Sequence, residues 1–476
     1  MGAADIIGRK AELQQFREFM SSGRSEFVVV YGRRRVGKTY LVREAFEQRF
    51  AFQLTGLANA SLAQQLLNFH TALQKAFPHM EYPLPESWFE AFQQLMACLE
   101  KKKRKRQVIF LDELPWLDTP KSSFISALEH FWNSWASARR DIVLIVCGSA
   151  ASWMLNKLIN NRGGLHNRVT RRMKILPFTL HECEAFLHSR HIHWTRYQVI
   201  EIYMALGGIP YYLDALRPGL SPAQNIDRLC FSETGLLRRE FDNLYASLFR
   251  FPENHTAVSE ALSRKARGLT REELIAASGL PNGGGATKVL DELEASGFIR
   301  RYLPFGKKVK DSLYQLSDFY TLFYYRFIHK RRQFSDNHWL QQTDSPGHRA
   351  WSGYAFEQVC LAHVSQIKKE LGISGVHSEE ASWRSTGKDN GAQVDLLIDR
   401  RDQVINLCEM KFSIHPFTID KRYAAELRNK IGVFRNETQT RKAVFLTMIT
   451  TYGVRPNEHS AGLVQNNLDM DCLFVP

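Results

Sequence analysis

The chain has 476 residues, which is enough for more than one domain. Its hydrophobic fraction of 44% and charged fraction of 24% are those of ordinary globular proteins and exclude a largely disordered chain. The formal net charge of +14 favours an anionic partner, of which nucleic acid is the commonest.

The cysteines and the apolar runs predict where the protein resides. Seven cysteines are scattered with no CxxC pair, so neither a zinc site nor a disulfide framework is indicated, and a cytoplasmic location is expected. Residues 1–9 lack a signal-peptide h-region, and no apolar run approaches the ~20 residues that span a bilayer, so we expect no membrane partner. The basic run KKKRKR at residues 101–106 is interpreted as a solvated loop, with a phosphate-contacting loop or a targeting signal as alternatives.

The first segment with a chemical signature is residues 32–39, which read GRRRVGKT. An apolar strand precedes it and a helical stretch follows, which is the context of a phosphate-binding P-loop. The glycines allow the tight turn that points backbone N–H groups at the β-phosphate, and the helix N-terminus adds its dipole. Lys38 is expected to reach the β- and γ-phosphates, and the Thr39 hydroxyl to bind Mg²⁺. The residues predicted to contact ATP are Gly32, Arg33, Arg34, Arg35, Val36, Gly37, Lys38, Thr39 and Tyr40.

A second apolar run, residues 108–111, ends in Asp112 and Glu113. This is the pattern of a Walker B strand, in which Asp112 holds Mg²⁺ and Glu113 activates the attacking water as general base. The alternative is that the two carboxylates only cap a helix. With a third run at residues 142–146, these segments predict the buried strands of a parallel sheet in an α/β domain.

Two further motifs give the N-terminal half a family resemblance. Residues 7–13, IGRKAEL, resemble the box that opens many prokaryotic AAA/STAND-type ATPases, and residues 207–212, GGIPYY, resemble the GxP motif after their lid helices. With the P-loop and Walker B strand, residues 1–230 resemble the archaeal/bacterial family called the archaeal ATPase family.

The resemblance implies roles for further residues. Gly8 and Arg9 would contact the adenine, and Pro210 would complete the nucleotide site. Ser149, after the third strand, would sense the γ-phosphate, although a helix N-cap is an equal alternative. Arg168 would act as an arginine finger on the ATP of a neighbouring subunit, which implies a homo-oligomer; the alternative is a surface arginine.

The middle of the chain has the pattern of a helix-turn-helix. Thr270 and Glu273 make a capping box, Gly279 supplies the turn, and a second helix is predicted over residues 286–296. A hairpin around residues 305–308 would complete a winged helix. Its basic residues could meet DNA phosphates, and a protein-docking module is the alternative; those residues are Lys288, Lys307, Lys308 and Lys310. The aromatic segment 318–328 is interpreted as a packing helix.

The C-terminal region carries a D…ExK pattern. Asp395 lies on one predicted strand, and Glu409 and Lys411 lie two residues apart on the next, so they share a face. The two carboxylates can hold Mg²⁺ or Mn²⁺, and Lys411 can orient or deprotonate the attacking water. Glu357 on a preceding helix would complete the site, either as a further metal ligand or by supporting one of the ligands. This is the arrangement of the PD-(D/E)XK phosphodiesterase fold, and the segment also resembles the nuclease-like domain attached to archaeal-type ATPases.

The sequence thus predicts an α/β protein in three parts. A P-loop NTPase domain of AAA/STAND type with a helical lid spans residues 1–235, a winged helix-turn-helix spans 250–330, and a PD-(D/E)XK-like domain spans 335–476. We expect an ATPase whose nucleotide state regulates a metal-dependent nuclease-like domain acting on DNA. The alternative is a STAND-type regulatory switch with a catalytically inactive C-terminal domain that binds DNA or protein.

Overall fold

The computed structural model describes residues 6–101, 106–160, 163–165, 167–329, 337–385, 387 and 391–476. Residues 102–105 of the basic run lie outside these ranges, as do residues 1–5. The chain divides into two compact units, Met1–Pro177 and Phe178–Pro476. The helices that the sequence assigned to an ATPase lid therefore group with the second unit, and the three-domain division remains a prediction.

The first unit is built on a five-stranded sheet in the order β2-β3-β4-β1-β5, and all its pairs are parallel. The predicted parallel sheet is therefore confirmed. Its central strands are buried along their length because helices cover both faces. The strands are β1 Glu26–Tyr31, β2 Phe52–Thr55, β3 Gln107–Asp112, β4 Ile142–Gly148 and β5 Arg171–Lys174.

The helices of this unit connect the strands in βαβ fashion and bury one apolar face each. One core cluster joins the faces of strands β1 to β4 to aromatic side chains such as Phe69, Trp88 and Phe131. The helices are α1 Lys10–Ser21, α2 Lys38–Ala45, α3 Leu62–Ala76, α4 Trp88–Lys101, α5 Leu114–Leu117, α6 Phe124–Ser134 and α7 Ala151–Met154. Helix α2 ends at Ala45, shortly before Glu47 and Gln48, whose positive φ is incompatible with a continued helix.

The second unit begins with helices α8 Leu180–Ser189, α9 Arg196–Leu206, α10 Pro210–Asp214, α11 Pro222–Ile226 and α12 Glu240–Leu248. A small antiparallel sheet follows in the order β6-β8-β7. The helices and strands of this region are α13 Pro252–Ser263, β6 Leu269–Thr270, α14 Arg271–Ser278, α15 Gly284–Ala295, β7 Ile299–Tyr302 and β8 Leu313–Leu316. The predicted capping box of Thr270 and Glu273 is present.

A five-stranded mixed sheet forms the C-terminal part, in the order β13-β12-β11-β10-β9. Strands β9, β10 and β11 pair antiparallel, and β11, β12 and β13 pair parallel. The strands are β9 Ser378–Arg384, β10 Gln393–Arg400, β11 Val404–Lys411, β12 Ala443–Thr450 and β13 Asn466–Leu468. The accompanying helices are α16 Phe319–Phe323, α17 His338–Gln342, α18 Pro346–Ala362, α19 Val364–Glu370 and α20 Lys421–Thr438.

Three smaller expectations can be compared with this fold. The aromatic segment beginning at Phe319 is buried, as expected of a packing helix. All seven cysteines are buried free thiols. Among the described residues, no helix combines the length and the apolar character that a bilayer span needs.

Candidate functional site

The P-loop turns at the carboxyl end of β1, between that strand and α2. Gly32 has a φ of 147°, and a Cβ there would lie 2.3 Å from the carbonyl oxygen of Ile175. Gly37 precedes α2 with a φ of 86°, a conformation that L side chains rarely adopt. Each glycine is therefore required, the first by a close backbone approach and the second by its dihedral angle.

The Lys38 side chain lies folded along this loop and is almost completely buried. Its Nζ donates to the carbonyl oxygens of Gly32 at 3.1 Å and of Arg33 at 2.9 Å. Burial lowers the pKa of Lys38, while the nearby acidic groups oppose that effect. The lysine is thus held by the backbone that a P-loop uses to surround phosphate groups.

The carboxyl end of β3 meets the start of α2. Thr39 Oγ1 donates to Asp112 Oδ1 at 3.1 Å, and an Arg43 nitrogen lies 4.0 Å from Asp112 Oδ2. Burial, with the charge of Glu113, raises the pKa of Asp112, and the Thr39 hydrogen bond opposes this. A hydroxyl and a carboxylate at this distance are oxygen donors of the kind that Mg²⁺ prefers.

Glu113 does not act as the side-chain cap that was the alternative interpretation. It precedes α5 with a φ of 47° and makes no capping hydrogen bond. Its carboxylate instead accepts hydrogen bonds from Ser149 Oγ at 2.9 Å and from the Ser149 backbone N–H at 3.3 Å. Ser149 in turn is not the N-cap of α7, a position held by Ala150. The structure therefore joins the predicted base and the predicted sensor directly.

The opening box lies against the P-loop. The Arg9 side chain is buried, and its Nη2 donates to the carbonyl oxygen of Val36 at 3.2 Å. Gly8 and Arg9 both have positive φ, which starts α1 at Lys10. Among the other predicted contacts, Arg33 and Val36 are buried, Arg34 and Arg35 are partly exposed, and Tyr40 is exposed.

Two predicted residues lie elsewhere. Arg168 is exposed and precedes β5, at the amino end of the sheet, because Arg171 pairs with Val28 near the start of β1. It is therefore on the edge opposite to the P-loop of the same chain, and its role as a finger toward a neighbouring subunit stays a prediction. Pro210 begins α10 in the second unit.

The N-terminal region that contains the P-loop is similar to a known protein family. Residues 6–216 match a protein family described as an ATPase domain predominantly from Archaea. Residues 6–216 are therefore similar to that ATPase family. We call this matched region the ATPase domain; it contains β1 to β5 and the helices up to α10.

Relatives and solved structures resemble longer stretches. An uncharacterized protein of Methanocaldococcus jannaschii is 26% identical over 411 residues, 86% of this chain and 87% of its own length. The Walker-type ATPase PABY2304 of Pyrococcus abyssi has a TM-score of 0.48 at 15% identity, covering 68% of this chain and 97% of its own. The ORC2 protein of Aeropyrum pernix has a TM-score of 0.40 at 15% identity, covering 68% and 93%.

A second group of polar side chains lies around Glu409 on β11. Lys411 Nζ is 3.0 Å from Glu409 Oε1, as the two-residue spacing predicted. The carboxylate also accepts from Lys430 Nζ at 2.6 Å and from the Tyr423 hydroxyl at 2.7 Å, both on α20. Burial alone would raise the pKa of Glu409, but the charges of Lys430 and Lys411 hold it below its usual value.

Glu357 and Asp395 line one cavity in the second unit, with a volume of ≈ 670 Å³. Glu357 lies on α18 and Asp395 on β10, where Asp395 accepts a hydrogen bond from Gln393 at 2.7 Å. Burial, and then the charge of Asp395, raise the pKa of Glu357 to about 8, and Lys411 opposes this. The charges of Asp395, Glu409 and Lys411 therefore all influence the carboxyl group of Glu357.

They do not form a ready metal centre. Within the part of the chain that the structure describes, no group of three or more His, Cys, Asp or Glu side chains could hold a metal ion. Lys430 and Tyr423 could not be predicted from the sequence, because they lie 21 and 14 residues after Glu409. Their spacing along α20 shows that they can share a face of that helix, but it does not show which strand the helix packs against.

Residues of the ATPase domain contact the elements that carry this C-terminal group. Tyr197 on α9 stacks on Phe412 at 4.9 Å between ring centroids, and Phe412 directly follows Lys411. The backbone N–H of Leu180 donates to His363 Nε2 at 3.0 Å, just beyond α18. Helix α9 also packs on α18, the helix of Glu357.

Proposed function

We propose that the protein binds ATP with Mg²⁺ at the P-loop and hydrolyses it. The observation that supports this most strongly is the Thr39–Asp112 contact of 3.1 Å with Glu113 next in sequence. When bound, Mg²⁺ would be held by Thr39 and Asp112 and would neutralise phosphate charge. Lys38 would bind the β- and γ-phosphates, and Glu113 would accept the proton of the attacking water. Ser149 would orient Glu113 and respond to the γ-phosphate through the hydrogen bonds that join them.

Glu113→Gln tests the hydrolysis step. The amide keeps the shape and can still bond to Ser149, but it cannot accept the water proton. We expect ATP binding to be retained and turnover to fall by roughly 10²-fold or more. Turnover is measured as phosphate release and binding by titration with a fluorescent ATP analogue. The control Glu81→Gln, at an exposed position, should match the wild type; normal turnover in Glu113→Gln would place the base elsewhere.

We further propose that the nucleotide state regulates a C-terminal phosphodiesterase that acts on DNA. The contacts of Tyr197 with Phe412 and of Leu180 with His363 support this coupling, because they join ATPase-domain residues to the elements of Lys411 and Glu357. Glu357, Asp395 and Glu409 are not grouped as a metal centre in this structure, so they would have to move together to hold Mg²⁺ or Mn²⁺, and Lys411 would then orient the attacking water. The helices and hairpin of residues 252–316 would act as a winged helix, with exposed Lys288, Lys307, Lys308 and Lys310 toward phosphates.

One observation favours the alternative of a regulatory switch with an inactive C-terminal domain. Both Glu409 oxygens already have partners, Lys411 and Tyr423 on one and Lys430 on the other. A metal ion would have to compete with these cations for the carboxylate. In this alternative the C-terminal domain binds DNA or protein, and ATP occupancy changes assembly.

Plasmid cleavage discriminates between the two. Supercoiled plasmid is incubated with the protein, ATP and Mg²⁺ or Mn²⁺, and nicked and linear forms are resolved on a gel. An active site predicts nicking that EDTA and Asp395→Ala abolish, because the ion loses a ligand. Glu458→Ala removes an exposed carboxylate as the matched control and should leave nicking intact. Intact plasmid under both metals, or equal nicking by Asp395→Ala, would leave the regulatory switch as the better proposal.

A further inference from the structure

The cavity that contains Glu357 and Asp395 is bounded by two different parts of the second unit. One wall comes from β7, β8 and the hairpin between them, and the other from α18, β9 and β10. The hairpin is fixed to the C-terminal sheet, since the Phe305 backbone N–H donates to the carbonyl oxygen of Ser382 at 2.8 Å. The Phe305 ring also lies 5.6 Å from Phe434. These contacts hold the hairpin wall of the cavity against the C-terminal sheet.

Arg300, on β7, lines this cavity and is held in one position. Its Nη2 donates to Gln315 Oε1 at 2.5 Å and to Gln358 Oε1 at 2.6 Å, and its Nε donates to Gln315 at 3.0 Å. Both glutamines are buried. Within the described ranges no carboxylate lies within ion-pair distance of Arg300, and the charge of Asp395 acts on it only from farther away. A half-buried guanidinium that hydrogen-bonds to neutral amides and is only partly compensated by a distant carboxylate is stabilised further by an anion.

We propose that this cavity binds single-stranded nucleic acid, with Arg300 as the anchor for one backbone phosphate. The inference rests on the proposed phosphodiesterase, because the bound phosphate would lie beside Glu357 and Asp395. Arg300 is a positioning residue in this scheme and takes no part in bond breaking.

The shape of the cavity favours a single strand over a duplex. Its ≈ 670 Å³ falls in the range of ~300–1,000 Å³ for sites that enclose one small ligand, a size comparable to one or two nucleotides. A duplex, whose major groove alone is about 12 Å wide, is too wide to enter a cavity of this volume. A concave site of this size can enclose one or two nucleotides of an unpaired strand.

The lining contains aromatic and positively charged side chains, which are the two kinds of group that bind single-stranded nucleic acid. Aromatic rings of Tyr302, Phe305 and Tyr354 line it, and each can pack against a base. Arg267, Lys307 and Arg384 add positive charge to that of Arg300.

Three of the lining acids already accept hydrogen bonds, and Glu380 does so from a lysine. Glu380 pairs with Lys368, Asp311 accepts from the Lys308 backbone, and Glu273 accepts from the Thr270 backbone. The remaining two, Glu357 and Asp395, are the proposed metal ligands.

Strand binding by the full-length protein tests the inference. Fluorescence anisotropy is measured with a labelled oligothymidylate of about 12 nucleotides, within the range of single-strand sites, and with a duplex of equal length. Ca²⁺ replaces Mg²⁺, and a gel verifies that the oligonucleotide stays intact. Arg300→Gln should weaken single-strand binding about ten-fold or more, the effect of one charge-assisted hydrogen bond. Arg301→Gln, next on the same strand but exposed, is the matched control and should show no comparable loss.

If thermal melting shows that Arg300→Gln is misfolded, two further variants test the inference. Arg300→Lys keeps the charge and should lose less affinity, and Lys307→Gln changes an exposed lining residue and should weaken binding. Wild-type protein that does not bind the strand, equal losses for strand and duplex, or wild-type affinity in the folded Arg300 and Lys307 variants would each overturn the inference. Strand binding that depends on Arg300, with no cleavage of the single strand when Mg²⁺ or Mn²⁺ replaces Ca²⁺, would instead refute only the phosphodiesterase.

Discussion

At the residue scale, the proposed nucleotide site contains one buried lysine. Lys38 Nζ bonds to two loop carbonyls, and its aliphatic stem is excluded from water. The ammonium group is therefore positioned before any phosphate arrives, and little side-chain entropy is lost on binding.

Lys38→Ala should weaken ATP binding by roughly 10- to 150-fold, because a charge-assisted hydrogen bond contributes about 1.5–3 kcal/mol. Isothermal titration with ATP·Mg²⁺ measures the affinity, and a thermal melt reports whether the fold is kept. The control Lys75→Ala removes an exposed lysine of α3 and should bind like the wild type. An unchanged affinity in Lys38→Ala would contradict the P-loop assignment.

The residues of this site that spacing alone identifies belong to two motifs, the P-loop and the strand that ends in Asp112. Lys38 and Thr39 follow from the spacing of the glycines, and Asp112 and Glu113 from their place after a buried strand. The Glu113–Ser149 hydrogen bonds join residues 36 positions apart, and spacing alone does not reveal them. Arg300 was not identified, because its importance arises from Gln358, 58 residues later, and from a cavity that only tertiary packing creates.

At the scale of elements, the sequence predicts strands better than the ends of helices. Long apolar runs such as β4 can only be buried in a sheet, so they are recognised directly. Strands β2 and β5 were not identified, since β5 reads Arg-Arg-Met-Lys and only its pairing with β1 makes it a strand. The hydrogen bond between Leu180, at the start of α8, and His363, just after α18, involves a histidine that no local pattern reveals.

That histidine, His363, gives the second unit a predictable pH dependence. Its Nε2 accepts from the Leu180 N–H, and its Nδ1 lies 2.8 Å from the carbonyl oxygen of Val359, so the ring is neutral with its proton on Nδ1. Burial lowers the pKa of His363 to about 4, from an ordinary value near 6.5. Between these values the unfolded chain binds the proton and the folded chain does not, so stability falls as the pH falls from about 6.5 to 4.

His363→Gln should remove this part of the pH dependence. A glutamine oxygen can still accept from Leu180, but it does not titrate. We expect the wild type to lose on the order of 3 kcal/mol more than the variant between pH 7 and pH 4, in urea unfolding at several pH values. Parallel pH profiles for the two proteins would show that the histidine is protonated in the folded state.

At the scale of the whole molecule, the proposed regulation requires that the nucleotide state of the first unit change the conformation of the C-terminal site. The chain itself supplies a route, because Gly32 of the P-loop packs on Ile175, shortly before α8 begins. Helices α8 and α9 then contact α18 and the end of β11. A shift of this segment would move the elements that carry Glu357 and Lys411 together.

Tyr197 is where this coupling can be interrupted. Its ring stacks on Phe412 at 4.9 Å and lies 5.9 Å from Tyr452, with interplanar angles of 18° and 13°. Tyr197→Ala removes the stack while leaving the P-loop, Asp112 and Glu113 untouched. We expect ATP turnover to be retained. Hydrogen exchange of residues 404–412, which ATP should alter in the wild type, should no longer respond to ATP in this variant.

Tyr197→Phe is the matched variant, because it keeps the ring and loses only the hydroxyl. It should preserve the ATP response, since coupling through stacked rings depends on contact area and not on that hydroxyl. An ATP response of equal size in Tyr197→Ala would mean that the signal does not pass through α9. Loss of the response in both variants would instead assign the coupling to the hydroxyl. The comparison therefore separates packing from hydrogen bonding as the physical link between the ATPase domain and the C-terminal site.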